Sequence, residues 1–145
     1  MEYKLNIHGF SVNKMYEYDI KTGKQHRSKL YNKWRLKALQ EMQGLPTLEE
    51  MGVDPNKPMR LTAVFTHVRG YDVDNMIKSF QDILTEYYGI EDDNNFVEPM
   101  PKRGTSFART INDGSITFTI ENCEGLIMNE FDKLLMAIDK GWIVF

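Results

Sequence analysis

Two aspartates and a lysine in the middle of the chain have the types and the spacing to do chemistry. Asp72 and Asp74 are two positions apart, and Lys78 follows Asp74 by four positions. Residues two apart in extended backbone point to the same side, so the two carboxylates are expected to converge. Converged carboxylates repel each other unless a cation lies between them, and Mg²⁺ favours such oxygen ligands. The pattern therefore predicts a Mg²⁺ site, with Mn²⁺ as an alternative, beside a lysine.

A second acidic pair, Asp92 and Asp93, follows one predicted helix later. Asp93 would join the first two carboxylates if the intervening loop folds back over them, which the sequence leaves open. A Mg²⁺ ion held in this way can activate water and stabilise the charge that develops in phosphodiester cleavage. Lys78 would then hold the scissile phosphate or the charge on its oxygens. The expected chemistry is metal-dependent hydrolysis of a phosphate ester.

Each of these residues also has a purely structural interpretation. Asp74 is a good helix N-cap, and that role alone carries about equal weight. The pair Asp92–Asp93 is more often a solvated loop than a ligand set. His67 is expected to be a packed strand residue, because hard cations prefer oxygen ligands. Cys123 is expected to be a small residue that is buried or half-buried.

Apolar periodicity and turn residues indicate the elements that must position these groups. The predicted helices cover residues 29–43 with Ser28 as N-cap, the segment from Asp74 to a stop at Gly89, and about 126–140. The predicted strands cover residues 3–10, 59–67, 96–97, 105–111 and 115–121. The last two strands are expected to form a hairpin around Asn112-Asp113-Gly114, and residues 45–58 and 99–104 to be loops. The predicted class is α+β, a small mixed sheet packed with helices in one domain over residues 1–145.

Charge is distributed unevenly along the chain. The 145 residues carry 18 Lys and Arg against 21 Asp and Glu, which gives a net charge of −3. Residues 1–45 contain nine basic and four acidic residues, a local charge of +5. The remaining residues contain nine basic and 17 acidic residues, a local charge of −8. A basic segment and an acidic cluster in one small chain need a joint explanation.

The basic segment also contains aromatic residues. Residues 14–37 hold eight Lys and Arg and two acids, and interleaved with them are Tyr16, Tyr18, Tyr31 and Trp34. Basic groups with aromatic residues suit phosphate contact and base stacking. The alternative is an ordinary solvated helix face formed by Lys29, Lys33 and Lys37.

Several classes of protein are excluded by composition. The single cysteine cannot form an internal disulfide, and the three scattered histidines do not make a Cys/His zinc site. No apolar run is long enough to span a membrane. We therefore expect a cytoplasmic protein that does not interact with a membrane.

Residues 59–98 resemble the RusA family of endodeoxyribonucleases, the Holliday junction resolvases of bacteria and their phages. The family pattern is a hydrophobic strand, D-x-D-N with a lysine three residues later, an amphipathic helix, a Gly, and an Asp-Asp pair before a short apolar strand. This stretch reads MRLTAVFTHVRGYDVDNMIKSFQDILTEYYGIEDDNNFVE. Ser11-Val12-Asn13 and Lys29-Leu30-Tyr31 with Trp34 are similar to the opening region of the family. The resemblance thus spans most of the first hundred residues.

The resemblance implies a Mg²⁺-dependent homodimer that cuts opposite strands of branched DNA symmetrically, in recombination and repair. Asp72, Asp74 and Asp93 would be the metal-binding catalytic carboxylates, and Lys78 would be the essential lysine. Asp92 would assist Asp93, and Asn75 would support the turn. The DNA backbone would be contacted by Lys14, Lys21, Lys24, Arg27, Lys29, Lys33, Arg35 and Arg69.

Two other functions use the same residues. A non-catalytic module of the same fold would bind DNA or a replication protein, but the retained carboxylates and lysine argue against it. A metal-dependent hydrolase of small phosphate esters would need the carboxylates but not the basic segment. Replacing Lys29, Lys33 and Arg35 with Ala should therefore abolish cleavage of long DNA and spare a small ester.

Overall fold

The computed structural model of the protein describes residues 1–91 and 95–123. Along the chain the elements are β1 (Tyr3–Leu5), β2 (Tyr16–Tyr18), β3 (Gln25–Arg27), α1 (Lys29–Met42), β4 (Met59–Thr66), α2 (Val73–Tyr88), β5 (Phe96–Arg103) and β6 (Ser115–Asn122). Four strands form one sheet in the order β1-β6-β4-β5, and β2 and β3 form a separate antiparallel pair. Because β4 runs parallel to β5 and antiparallel to β6, the sheet is mixed. The predicted α+β class is confirmed.

The strand β4 lies between β5 and β6, and its sequence fits that central position. Its residues alternate between buried and half-buried, with Leu61, Ala63 and Phe65 fully buried on one face. This alternation is what a sheet covered on one side by a helix requires. The predicted strand and its buried face are confirmed. The strand ends at Thr66, one residue early, but His67 continues the buried face.

The helix α2 covers this face of the sheet. Phe80 packs edge-on against Phe65 and Phe118, with ring centroids 6.2 Å and 5.1 Å apart. Aromatic pairs of this geometry contribute about 0.5–1.5 kcal/mol beyond the burial of their area. Gly89 ends the helix in the left-handed conformation, with φ of 64°, which glycine adopts without strain. The predicted stop is confirmed.

The start of α2 differs from the prediction by two residues. Asp72, rather than Asp74, is the N-cap, and Asp74 already lies in the first helical turn. The chain reaches Asp72 in extended conformation (φ −111°, ψ 123°), and the helix begins at the next residue. Both aspartates are good caps in isolation, so sequence alone could not choose between them.

The helix α1 agrees with the prediction to within a residue. The Ser28 hydroxyl accepts the Tyr31 backbone N–H at 3.0 Å, so Ser28 is the N-cap as predicted. The helix ends at Met42.

The predicted hairpin over residues 105–121 is wrong in its first half. The strand β6 is present, but it pairs with β4 on one side and with β1 on the other. Both edges of β6 are therefore occupied, so residues 105–111 do not pair with it. They wrap instead around the end of β4, where the N–H groups of Gly104 and Ala108 donate to the carbonyls of Phe65 and His67, each at 2.9 Å.

Two strand lengths also differ from expectation. The strand β5 continues to Arg103 through the predicted loop 99–104, because its parallel pairing with β4 extends from Pro99 to Arg103. The strand β1 covers three residues rather than the predicted segment 3–10.

Residues 7–10 pass close beside both helices. The Trp34 ring N–H donates to the His8 carbonyl at 2.8 Å, and the Ser79 hydroxyl donates to the Phe10 carbonyl. A Cβ added to Gly9 would lie 2.6 Å from Met76 Sδ, so only glycine permits this approach. This segment therefore links α1 and α2 through hydrogen bonds.

None of the helices within the two described ranges is long and apolar enough to cross a membrane. The predicted helix at about 126–140 lies outside the described residues.

Candidate functional site

Asp72 and Asp74 lie together at the N-terminus of α2, and both side chains are exposed. Asp72 Oδ1 accepts the Asp74 backbone N–H at 2.9 Å. The positive end of the helix dipole favours ionised carboxylates here. Asp72 is extended and Asp74 already lies in the first helical turn, whereas the prediction placed both in extended backbone.

Lys78 lies one helical turn beyond Asp74, on the same side of α2. It is exposed and lines a cleft of about 520 Å³. Other parts of the cleft wall come from Val12, Met15 and Tyr16, which precede or begin the hairpin β2–β3. The structure therefore brings the predicted lysine beside the N-terminal segment that the sequence marked as basic and aromatic.

The donor set at this end of α2 suits a hard cation. Asp72 and Asp74 offer carboxylate oxygens, and Mg²⁺ is often held by one or two carboxylates together with waters and substrate phosphates. Among residues 1–91 and 95–123, no group of three or more His, Cys, Asp or Glu forms a metal site. The third predicted ligand, Asp93, and its neighbour Asp92 lie outside the described residues. The two described carboxylates fit Mg²⁺, and the complete ligand set stays a prediction.

The hairpin β2–β3 carries four of the predicted DNA contacts at or near its strands. All residues of both strands are exposed, and Ile20 in the connecting turn is 98% exposed. Two hydrogen bonds from Ser28 fix the base of the hairpin. Its hydroxyl donates to the Lys14 carbonyl at 2.6 Å, and its backbone N–H donates to the Met15 carbonyl at 2.8 Å. The exposed basic residues here are Lys14, Lys21, Lys24 and Arg27. No strand was predicted in this part of the chain.

The remaining predicted DNA contacts on α1 differ in exposure and in ion pairing. Lys29 and Lys33 are exposed on α1. Arg35, by contrast, makes a two-pronged ion pair with Glu86 of α2, with nitrogen–oxygen distances of 2.7 Å and 2.8 Å. This hydrogen bonding raises the pKa of Arg35 and ties α1 to α2. Arg35 therefore has a structural partner that the sequence did not indicate.

Two buried histidines adjoin the start of α2, and the sequence did not pair them. His8 Nε2 accepts the Val68 N–H at 3.0 Å, and its Nδ1 hydrogen-bonds to the Gly9 carbonyl at 2.7 Å. Burial lowers the pKa of His8, the hydrogen bond to Gly9 opposes this, and His67 lowers it further. His67 is packed, as predicted, and its Nε2 has no hydrogen-bond partner among the described residues.

An arginine-rich patch adjoins these histidines at the end of β4. The guanidinium of Arg69 lies 4.7 Å from the centroid of the Phe107 ring, and that of Arg103 lies 5.9 Å from it. Arg109 lines the same shallow cleft as Arg69 and Phe107. Of these residues only Arg69 was predicted. Residues 102–109 contain three basic residues and one aromatic residue, Phe107, and this local composition is a signal that would have indicated them.

A larger cleft, of about 670 Å³, is lined by Leu45, Leu48, Val53, Tyr87 and Tyr88. The charged residues in its wall, Glu49 and Asp54, are both acidic. Acidic walls repel phosphate, so this cleft does not suit the predicted substrate.

Neither the comparison with protein-family models nor the comparison with curated proteins finds a match to this chain. The class defined by the structure is an α+β protein with a mixed four-stranded sheet. The candidate site consists of the acidic N-terminus of α2 and Lys78 one turn further on, and Lys78 shares a cleft with Met15 and Tyr16 of the N-terminal segment.

Proposed function

We propose that the protein is a Mg²⁺-dependent endodeoxyribonuclease that cleaves branched DNA, with four-way junctions as the expected substrate. The observation that carries the proposal is the position of Asp74 and Lys78 on one side of α2. Lys78 lines a cleft that Val12 and Tyr16 also line, and Tyr16 begins the basic hairpin β2–β3. This arrangement of a carboxylate, a lysine and a basic hairpin supports the proposal.

Each structural element would contact a different part of the DNA substrate. The hairpin and the exposed face of α1 would contact DNA phosphates, and Lys78 would contact the oxygens of the scissile phosphate. Asp72, Asp74 and Asp93 would hold Mg²⁺, which supplies charge stabilisation and an activated water when bound. Asp72 also caps α2, so it fixes the helix end that carries Asp74. A homodimer would place one such site on each of two symmetric strands.

The test is cleavage of a labelled synthetic four-way junction in Mg²⁺, with linear duplex of the same arm sequence beside it. Asp74→Asn should lower the cleavage rate by about 100-fold or more, since removal of one group that stabilises the transition state costs about that much. The matched control is Asp113→Asn, which changes an exposed aspartate beyond the site and should retain the wild-type rate.

The outcomes separate the competing functions. Paired symmetric nicks that Asp74→Asn abolishes would support the proposal. Equal cleavage of junction and linear duplex would keep the nuclease and remove its selectivity for branches. Tight binding without cleavage in Mg²⁺ or Mn²⁺ would favour a non-catalytic module, and hydrolysis of a small phosphate ester alone would favour the small-molecule hydrolase.

A further inference from the structure

Three arginines surround one exposed aromatic ring at the end of β4 and β5. Arg69 and Arg103 approach the ring of Phe107, and Arg109 lies two residues after it. Within the described part of the chain, no carboxylate lies within 4.0 Å of any of these arginines. Arg35 and Arg60, in contrast, are both paired with glutamates. The patch therefore concentrates positive charge that no ion pair within residues 1–91 and 95–123 neutralises.

The aromatic ring is available to a ligand. Phe107 is 41% exposed, although a phenylalanine is normally buried when the fold can bury it. The hydrogen bonds from Gly104 and Ala108 to the end of β4 hold its loop in place, and His67 packs edge-on against the ring at 5.7 Å. The ring and Arg69 line a shallow cleft of about 480 Å³, a volume in the range of small-ligand sites.

We propose that this patch, formed by Arg69, Arg103, Phe107 and Arg109, binds an unpaired nucleotide of the DNA substrate. The base would stack on Phe107 and on the guanidinium plane of Arg69, since aromatic rings and arginines both stack on bases. The phosphates would pair with Arg103 and Arg109. Duplex phosphates alone would need the arginines but not the exposed ring, and so the ring favours an unstacked base.

The inference rests on the proposed function for its biological setting and deepens it. Arg69 is three residues from Asp72, so their Cα atoms are at most roughly 11 Å apart. A nucleotide held by the patch would therefore lie within a few base steps of the carboxylates. Stacking between the arms is interrupted where strands exchange at a branch, so opening a base pair there costs less than within a duplex. The patch would select DNA that offers such an opened base next to the cleavage site.

The experiment measures binding without metal, so that it does not depend on cleavage. A fluorescent single-stranded oligonucleotide and the duplex of the same sequence are titrated in EDTA with the full-length protein. Phe107→Ala should weaken single-strand binding about tenfold, because one stacked base contributes that much. Duplex binding should change less than twofold. Phe107→Trp retains a stacking surface and should restore single-strand binding.

The matched control is Met100→Ala, because Met100 on β5 is also 41% exposed. It should leave binding to both oligonucleotides unchanged. Arg103→Ala and Arg109→Ala should each reduce the salt dependence of single-strand binding by about 0.7 in slope, the value for one phosphate contact.

Three results would overturn the inference: no single-strand binding by the wild type, an equal loss on single strand and duplex in Phe107→Ala, or an equal loss in Met100→Ala. A wild-type protein that shows the expected pattern but cleaves no junction would refute the proposed function and leave this inference standing. If the wild type cleaves the junction and Phe107→Ala binds single strands as tightly as the wild type, the proposed function stands and this inference is refuted.

Discussion

Asp72 has a structural role that any test of its chemistry must separate from metal binding. Its side chain caps α2 through the Asp74 N–H at 2.9 Å, and its carboxylate belongs to the proposed metal site. Asn caps a helix as well as Asp does, but it carries no charge. The two roles can therefore be separated by substitution.

We expect Asp72→Asn to retain nearly wild-type stability, and Asp72→Ala to lower the free energy of unfolding by about 1 kcal/mol, the usual cost of a lost cap. Both variants should lose junction cleavage if the carboxylate binds the metal. Chemical denaturation and the cleavage assay, run on the same preparations, provide the two readouts. Full activity of Asp72→Asn would assign the residue to capping alone.

The lowered pKa of His8 predicts that stability depends on pH. Burial lowers its pKa in the folded state below the ordinary value of 6.5. As pH falls through 6.5, the unfolded chain takes up the proton first, so the free energy of unfolding decreases until pH reaches the folded-state pKa. Above pH 6.5 the ring is neutral in both states and contributes no pH dependence.

We expect the difference in unfolding free energy between wild type and His8→Gln to shrink as pH falls from about 7.5 toward 5, at no more than about 1.4 kcal/mol per pH unit. Glutamine can accept the Val68 N–H but does not titrate. Denaturant titrations at several pH values measure this difference. A difference that stays constant with pH would show that another group causes the acid sensitivity.

At the scale of elements, α2 is the part that joins fold and function. Its apolar face packs on the sheet through Phe80, and its polar side presents Asp74 and Lys78. The ion pair of Arg35 with Glu86 and the hydrogen bond of Ser79 with Phe10 fix its position against α1 and the N-terminal segment. Asp74 and Lys78 lie on this packed helix, which fixes their backbone positions.

The hairpin β2–β3 is the element that we expect to contribute most to DNA affinity with least effect on stability. Replacing Lys21 and Lys24 together with Ala should lower the salt slope of duplex binding by about 1.8, the value for two phosphate contacts. The melting temperature should not change, because both side chains are exposed.

A control for the hairpin variant must remove the same charge elsewhere. Lys4→Ala with Lys57→Ala does this at two other exposed positions. If this control lowers the slope as much as the hairpin variant does, DNA binding depends on net charge rather than on the hairpin.

At the scale of the whole molecule, the edge of the sheet limits how two copies could associate. The strand β5 pairs with β4 alone among the described strands, so its other side is an edge. Pro99 and Pro101 lie in it two residues apart and lack N–H groups, which prevents a continuous ladder to another strand. Within the described residues, the two prolines therefore oppose a homodimer formed by extending the sheet across β5.

The proposed homodimer predicts a specific behaviour of mixed dimers. Wild-type and Asp74→Asn chains with different tags are co-expressed, and dimers carrying both tags are isolated. They should nick one strand of a junction and leave the opposite strand intact, because each subunit cuts one strand. Nicking of both strands by mixed dimers, or a failure to recover both tags together, would refute symmetric cleavage by a homodimer.

Local sequence patterns were sufficient to predict the features that depend on neighbouring residues. The alternation of Leu61, Ala63 and Phe65 specified β4, the apolar periodicity ending at Gly89 specified α2, and Ser28 specified the start of α1. These features are local, because burial periodicity and capping involve residues within a few positions of each other. The spacing of Asp74 and Lys78 on one helix side was predictable for the same reason.

The features that depend on distant partners could not be predicted from local sequence and are seen in the tertiary structure. It paired β6 with β4 and β1, which left residues 105–111 to wrap around the end of β4 and to bring Phe107 to Arg69. It also joined Arg35 to Glu86 and placed the hairpin β2–β3 beside Lys78. Strand pairing and ion pairing connect residues far apart in the chain, and local propensity cannot choose among such partners, because the choice is made by packing the whole core at once.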